Sequence, residues 1–167
     1  MKAILICGIH GVGKSSFIKN NAQFNSYAKY SCSQLIKNYS GLEFKDKKTT
    51  NVDGNQNILL KAVQYFVKEK HVLYDGHITL FNKNRSIETI DPSVFKSLNI
   101  EHFIMLKAPP TVIYERILKR DGTTWLTIDI IEKAQENEEK KVVEYSKKMD
   151  VTYEIFCWNE QLSDWEK

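Results

Sequence analysis

The chain lacks the features that mark several large classes of protein. No apolar stretch approaches the roughly 18 residues of a membrane-spanning helix, and a strand-like run begins at Lys2, which leaves no room for a signal peptide. The three cysteines, Cys7, Cys32 and Cys157, are far apart and contain no C-x-x-C pair, so the sequence suggests neither a disulfide scaffold nor a zinc site. We therefore expect no membrane association and a reducing, cytoplasmic setting.

The chain also lacks a linker between domains and a strong net charge. The 167 residues include only 3 prolines and 7 glycines, and no stretch rich in either marks a domain boundary. The net charge is +3, which suits a small anionic ligand but is too weak to indicate nucleic-acid binding. We expect a single domain over residues 1–167.

One motif is highly specific. Residues 8–15 read Gly-Ile-His-Gly-Val-Gly-Lys-Ser, a full match to the phosphate-binding pattern G-x-x-x-x-G-K-[ST], directly after an apolar run. The glycines let backbone N–H groups approach phosphate oxygens, Lys14 reaches the β- and γ-phosphates, and the Ser15 hydroxyl binds Mg²⁺. The expected ligand is a nucleoside triphosphate, bound by Gly8, Gly11, Val12, Gly13, Lys14, Ser15 and Ser16.

Apolar runs alternate with helical patterns along the chain, which predicts an α/β fold. Strands are expected at 2–7, 27–32, 71–75, 102–107 and 151–156, with helices at 14–22, 33–39, 55–70, 109–120 and 128–149. These elements predict a three-layer α/β/α P-loop NTPase fold with a five-stranded parallel sheet. A small hairpin insertion is expected near 78–90, and a short helix after Asp91-Pro92.

Two further stretches, one polar and one rich in charge, predict a lid and a solvated helix face. Residues 40–54 are polar and aperiodic, which favours a mobile lid over the acceptor at about 38–54. Residues 132–141 are rich in charge, and we expect them to form a solvated helix face.

Asp75 ends the apolar run Val72-Leu73-Tyr74 and is a candidate metal ligand. A carboxylate at the end of such a strand can join the Mg²⁺ shell beside the loop hydroxyl, although an aspartate that only starts a turn gives the same pattern. His77 follows closely and can touch a substrate or its phosphate, or can be held in a surface turn.

Arg116 and Arg120 lie four residues apart and therefore share one helix face. Phosphoryl transfer depends on cations that neutralise the moving group, so catalytic roles are expected for both arginines, together with Lys14 and Asp75. The alternative is an amphipathic surface helix bridged by Glu115 and Lys119.

Other classes of nucleotide-binding protein fit poorly. Nothing resembles the H-R-D or D-F-G segments of protein kinases, and Asn82-Lys83-Asn84-Arg85 lacks the aspartate of the guanine-reading signature. An AAA-type motor is disfavoured because no further domain is expected.

Together these residues resemble the nucleoside monophosphate kinases, especially the compact adenylate-kinase-like P-loop kinases. Glu115-Arg116-Ile117-Leu118-Lys119-Arg120 resembles the family's arginine helix, which implies that Arg116 stacks on the ATP adenine, that Arg120 contacts phosphates and that residues 121–127 form the ATP lid. Asp75-Gly76 resembles the start of the family's D-G-F-P-R segment. The stretch Cys32-Ser33-Gln34-Leu35-Ile36-Lys37 resembles T-G-D-M-L-R, which implies that Lys37 replaces an acceptor-phosphate arginine.

The chain departs from this family on the acceptor side. Ile78 follows His77 where the family has Pro-Arg, and residues 121–127 contain no arginine. Lysine at position 37 replaces a bidentate fork by a point charge. The resemblance implies acceptor binding by Ser33, Lys37, Gln56 and His77, with ATP and Mg²⁺ as cofactors.

These observations predict an ATP-dependent small-molecule kinase that phosphorylates a nucleoside monophosphate or a similar small acceptor. The first alternative is an ATP-binding, slowly hydrolysing switch that acts through a protein partner. The second is a kinase of a nucleoside or of a nucleic-acid end; nucleic acid itself is disfavoured by the weak net charge.

Overall fold

The computed structural model describes residues 2–43 and 52–167. Within these ranges the strands are β1 Lys2–Cys7, β2 Ala28–Ser31, β3 His71–Asp75, β4 Thr79–Phe81, β5 Ile87–Thr89, β6 Ile100–Lys107, β7 Thr152–Asn159 and β8 Asp164–Glu166. The helices are α1 Lys14–Asn20, α2 Cys32–Glu43, α3 Val52–Phe66, α4 Pro92–Ser97, α5 Pro110–Asp121 and α6 Ile128–Met149, with a 3₁₀ turn at Ala22–Phe24.

The main sheet has the strand order β2-β3-β1-β6-β7-β8. The first five strands are parallel, as predicted, and β8 adds a short antiparallel sixth strand beside β7. Because the carboxyl ends of parallel strands meet at one edge, the segments that follow β1, β2, β3 and β6 converge there. In the register of β1 and β3, Ile6 lies opposite Asp75, so the phosphate loop begins beside that carboxylate.

Alternate residues of the strands pack on opposite faces of the sheet, as the two-residue period of a strand requires. Leu5 and Phe103 belong to one buried cluster, and Ile6 and Ile104 belong to the other. Helix α6 contributes to both clusters, through its first turns to one and through its later turns to the other. The middle of α6 therefore lies where the two cores meet.

The predicted insertion near 78–90 is confirmed as the antiparallel hairpin β4–β5. Its base is closed by the Ile90 N–H, which donates to the Ile78 carbonyl at 2.8 Å. The hydroxyl of Tyr145 on α6 donates to the Ile90 carbonyl at 2.9 Å, so the hairpin is anchored to that helix.

Several predicted boundaries differ from the structure. Helix α2 continues to Glu43 and α3 begins at Val52, so helices extend into both ends of the predicted acceptor lid, and residues 44–51 lie outside the described part of the chain. Strand β8 was not predicted because it is three residues long and carries no repeated pattern. In the described part of the chain, no helix is long and apolar enough to cross a membrane.

Candidate functional site

The phosphate loop, residues 8–15, leaves the end of β1 and leads into α1. Gly8 and Gly13 have φ values of 136° and 116°, which side chains rarely tolerate. A Cβ on Gly8 would lie 2.7 Å from the Leu106 carbonyl oxygen, and one on Gly13 would lie 3.2 Å from the Arg116 guanidinium. The loop therefore needs glycine at both positions. No side chain caps the N-terminus of α1, so its N–H groups can bind an anion.

Lys14 folds back over the loop and is only 8% exposed. Its Nζ donates to the Gly8 carbonyl at 2.8 Å and to the Ile9 carbonyl at 3.4 Å, and lies 4.0 Å from the Asp75 Oδ1. Burial lowers the Lys14 pKa, while the nearby Asp75 and Glu138 carboxylates oppose that shift. The ammonium group is thus held at the loop by carbonyl oxygens that a phosphate oxygen can replace.

Ser15 and Asp75 are brought together across the sheet edge, as predicted from the sequence. The Ser15 hydroxyl donates to the Asp75 Oδ2 at 3.3 Å. A hydroxyl and a carboxylate beside a phosphate loop fit Mg²⁺, which binds oxygen ligands, keeps several waters and takes others from the substrate phosphates. These two residues are the pair that would hold that ion.

Arg116 lies behind the loop on α5 and is partly buried. Its Nη1 donates to the Val12 carbonyl, and its guanidinium lies 4.6 Å from the centre of the Trp158 ring. Trp165 packs edge-on against Trp158 at 5.3 Å. A cavity of about 600 Å³ opens here, lined in part by Gly13, Arg116, Trp158 and Trp165.

Arg120 is more exposed and has different partners. It forms an ion pair with Asp121 at 2.5 Å and contacts the His10 imidazole at the tip of the loop. It shares the helix face of Arg116, as the four-residue spacing predicts, and both arginines line the same cleft. Its guanidinium therefore lies at the solvent side of the phosphate loop, where Asp121 is its ion-pair partner.

The main cleft has a volume of about 660 Å³ and runs from the phosphate loop towards α2 and α3. The predicted site residues that line it are Gly11, Gly13, Lys14, Ser15, Ser16, Ser33, Gln56, Asp75, His77, Arg116 and Arg120. Gly8 and Val12 are the buried members of the loop and do not line the cleft. Lys37 is exposed on α2, one turn beyond Ser33, and does not line the cleft.

We call the loop side of this cleft the donor end and the side formed by α2, α3 and α4 the acceptor end. The acceptor end is largely apolar, with Ser31, Ser33, Asn55 and Gln56 among its polar residues and Cys32, Ile36, Leu59, Leu80, Ile90 and Phe95 as its apolar ones. Burial and the charges of Lys14 and His10 lower the His77 pKa to about 3. His77 is therefore neutral near pH 7 and acts there as a hydrogen-bonding group rather than a cation.

The segment 121–127 connects α5 to α6 and packs against the hairpin. Trp125 lies 5.1 Å from the Phe81 ring, in an edge-to-face arrangement, and the Arg85 guanidinium lies 5.0 Å from the Trp125 ring centre. Gly122 ends α5 with a φ of 75°, and the Thr127 hydroxyl caps α6 by accepting from the Ile130 N–H at 3.3 Å. The predicted ATP lid is thus in contact with the insertion.

The prediction that 132–141 form a solvated face is wrong for three residues, because Ala134, Gln135 and Glu138 are buried. Gln135 and Glu138 bind the ends of the sheet strands and their following turns. Their spacing with Ile131, Ala134 and Val142 follows the apolar stripe of α6, and that spacing is the sequence signal that could have revealed them.

A comparison with protein families agrees with this geometry. A family model described as an AAA domain matches residues 7–133, from the phosphate loop into α6. The chain belongs to that family. The match confirms the P-loop, kinase-like family predicted from the motifs; the prediction that the protein is not an AAA-type motor concerns activity and stays a prediction.

Two solved structures are similar to this chain at low sequence identity. The tunicamycin resistance protein of Deinococcus radiodurans has a TM-score of 0.55 and 16% identity over 90% of this chain and 96% of that one. A gluconokinase from Sinorhizobium meliloti 1021 has a TM-score of 0.48 and 15% identity over 93% of this chain and 82% of that one. The similarity to the tunicamycin resistance protein shows a shared α/β architecture. No curated protein sequence matches the chain.

Proposed function

We propose that this protein is an ATP-dependent small-molecule kinase that transfers the γ-phosphoryl group to a nucleoside monophosphate or a similar small acceptor. The observation that carries the proposal is the continuous cleft of about 660 Å³, because it extends beyond the phosphate loop to a second wall. Hydrolysis needs only the nucleotide and water, whereas transfer needs room for a second substrate beside the phosphates.

The donor end supports the first half of this proposal. Lys14 and the loop N–H groups would hold the phosphates, and Ser15 and Asp75 would hold Mg²⁺, which supplies neutralising charge to them. Arg120, at the solvent side of the loop, would offset the charge of the transferred group. The family resemblance implies that the adenine stacks on Arg116, and that arginine lines the second cavity together with Trp165.

The acceptor end supports a small organic substrate with an apolar face. Leu59 and Phe95 line its wall, while Ser33, Gln56 and His77 supply hydrogen-bonding groups. Lys37, whose role rests on the resemblance alone, would reach an acceptor phosphate only from outside the cleft lining.

An acceptor screen tests the proposal directly. Nucleoside monophosphates, nucleosides and other small hydroxyl compounds are incubated with ATP and Mg²⁺, and phosphorylated product is measured with ADP release. We expect product from at least one class and none when Mg²⁺ is chelated. ATP binding without any phosphorylated acceptor would sink the kinase proposal.

The same screen separates the alternatives. ATP hydrolysis that rises only with an added protein partner, with no acceptor consumed, would support the ATP-binding switch. Phosphorylation of oligonucleotide ends that weakens steeply as salt rises would support the nucleic-acid-end kinase.

A further inference from the structure

Glu138 is a fully buried carboxylate in the middle of α6, at 0% exposure. It lies where the two core clusters meet, behind the phosphate loop and beside the base of the hairpin. A buried charge is costly unless hydrogen bonds satisfy it, so its partners show what this side chain does.

Four donors converge on this one carboxylate. Its Oε1 accepts from the Gly8 N–H at 3.1 Å and from the Ile78 N–H at 2.9 Å. Its Oε2 accepts from the Thr79 N–H at 2.7 Å and from the Thr79 hydroxyl at 2.5 Å. A single oxygen thus joins the phosphate loop to the chain that follows Asp75, and the other oxygen holds the first residue of β4.

The number of donors explains the residue type. A carboxylate offers about four acceptor sites, whereas the amide of glutamine offers two on its oxygen and presents two donors on its nitrogen. Glutamine at this position would satisfy one pair of donors and turn N–H groups towards the other pair. Burial raises the Glu138 pKa, while the hydrogen bonds from Thr79 and Ile78 favour the charged form.

The backbone of Gly8 is held by a side chain at its N–H and by another at its carbonyl. Glu138 accepts from its N–H, and Lys14 donates to its carbonyl at 2.8 Å. When Lys14 turns to a phosphate, as this motif requires, the carbonyl loses that partner and the carboxylate keeps the N–H in place. Glu138 then still holds the Gly8 N–H.

We propose that Glu138 is a positioning residue that fixes the phosphate loop in its ATP-binding geometry by holding the Gly8 N–H and the start of the hairpin on one carboxylate. It does not touch the nucleotide, and it acts through Gly8. The same contact links the loop to β4, whose following turn packs against the segment 121–127 through Arg85 and Trp125. The kcat part of the test below rests on the proposed kinase function, whereas the ATP-affinity part does not.

The variant Glu138→Gln tests this role. We expect the dissociation constant for a non-hydrolysable ATP analogue with Mg²⁺, measured by calorimetry, to rise about ten-fold, which corresponds to the loss of one charge-assisted hydrogen bond. The KM for ATP should rise by a similar factor, and kcat at saturating ATP should change by less than about two-fold, because the reacting groups are untouched.

Gln135→Met is the matched control. Gln135 is also buried on α6, and it binds both the N–H and the carbonyl of Ala108, at 3.1 and 2.8 Å, without contacting the phosphate loop. Both variants should unfold at lower temperature, but only Glu138→Gln should weaken binding of the analogue. Thr79→Val, which removes only the hydroxyl donor to Oε2, should likewise leave the affinity within about two-fold.

The outcomes decide between positioning and simple stability. Unchanged affinity in a folded Glu138→Gln protein, or an equal loss in Gln135→Met, would overturn the proposal. If Glu138→Gln does not fold, Glu138→Asp keeps the charge but shortens the reach, and we expect it to weaken binding of the analogue; unchanged binding there overturns the proposal as well. A failed acceptor screen with this affinity loss intact would reject the kinase function alone.

Discussion

The donor and acceptor ends of the cleft are held by different kinds of interaction. At the donor end Lys14, Ser15, Asp75 and Arg116 are joined to the backbone or to one another by hydrogen bonds. The acceptor end is formed by apolar side chains, with polar groups placed among them. Fixed polar groups define one ligand chemistry closely, whereas an apolar wall selects mainly by shape and size. The comparison explains why the triphosphate could be inferred from the chain and the acceptor could not.

The largest effect is expected at the donor end from Lys14→Met. Removing the ammonium group takes away the charge that the loop holds beside the phosphates, so we expect phosphoryl transfer to fall by about 10³-fold. Product formation is measured with the best acceptor from the screen. Lys19→Met, an exposed lysine in the last turn of the same helix, should retain normal turnover; wild-type turnover in Lys14→Met would contradict the role of the loop.

The two arginines of the donor end are expected to affect different kinetic constants. Arg116→Ala loses the contacts with Val12 and Trp158, and we expect the KM for ATP to rise about ten-fold with a smaller change in kcat. Arg120→Ala should instead lower kcat about 10²-fold with little change in that KM, because we propose that its guanidinium offsets the charge of the transferred group. Steady-state kinetics for both variants test this assignment of KM to Arg116 and kcat to Arg120. Identical effects of the two substitutions would show that it is wrong.

A moderate effect is expected at the acceptor end from Gln56→Ala. The loss of one neutral hydrogen bond should raise the KM for the acceptor about five-fold while the KM for ATP stays constant. The exposed neighbour Asn57 does not line the cleft, so Asn57→Ala is the matched control. A rise in the KM for ATP in Gln56→Ala would show that the two ends of the cleft do not bind the two substrates separately.

The smallest effect is expected from Lys37→Ala. This lysine is exposed and outside the cleft lining, so we expect changes below about two-fold in either KM. A large rise in the KM for a phosphorylated acceptor, and none for an unphosphorylated one, would restore the acceptor-phosphate role that the family resemblance implies.

The donor end was largely predictable because its chemistry is local in the sequence. The phosphate loop is one continuous segment, and Asp75 ends an apolar strand whose position in a parallel sheet follows from topology. The hairpin was found from its two short apolar runs around a polar turn. The loop and the hairpin depend on neighbouring residues alone, and Asp75 needs only the strand order of a parallel sheet in addition.

Other features depend on contacts between distant parts of the chain. Glu138 stands 130 residues from Gly8, and its place on the apolar stripe of α6 does not show which distant backbone groups it binds. The contact between Trp125 and the hairpin joins two segments whose separation in space the sequence does not give. Lys37 shows the opposite problem. The motif match predicts that it contacts an acceptor phosphate, whereas in the structure it does not line the cleft.

The tryptophans of this chain have a consequence for spectroscopy. All 3 lie in cavities that share residues with the main cleft: Trp158 and Trp165 beside Gly13 and Arg116, and Trp125 beside His10 and His77. Their indole emission therefore senses the polarity of the site rather than that of a distant core. The unmodified protein carries its own optical probes, and single Trp→Phe variants would separate a signal from the nucleotide cavity from one at the hairpin.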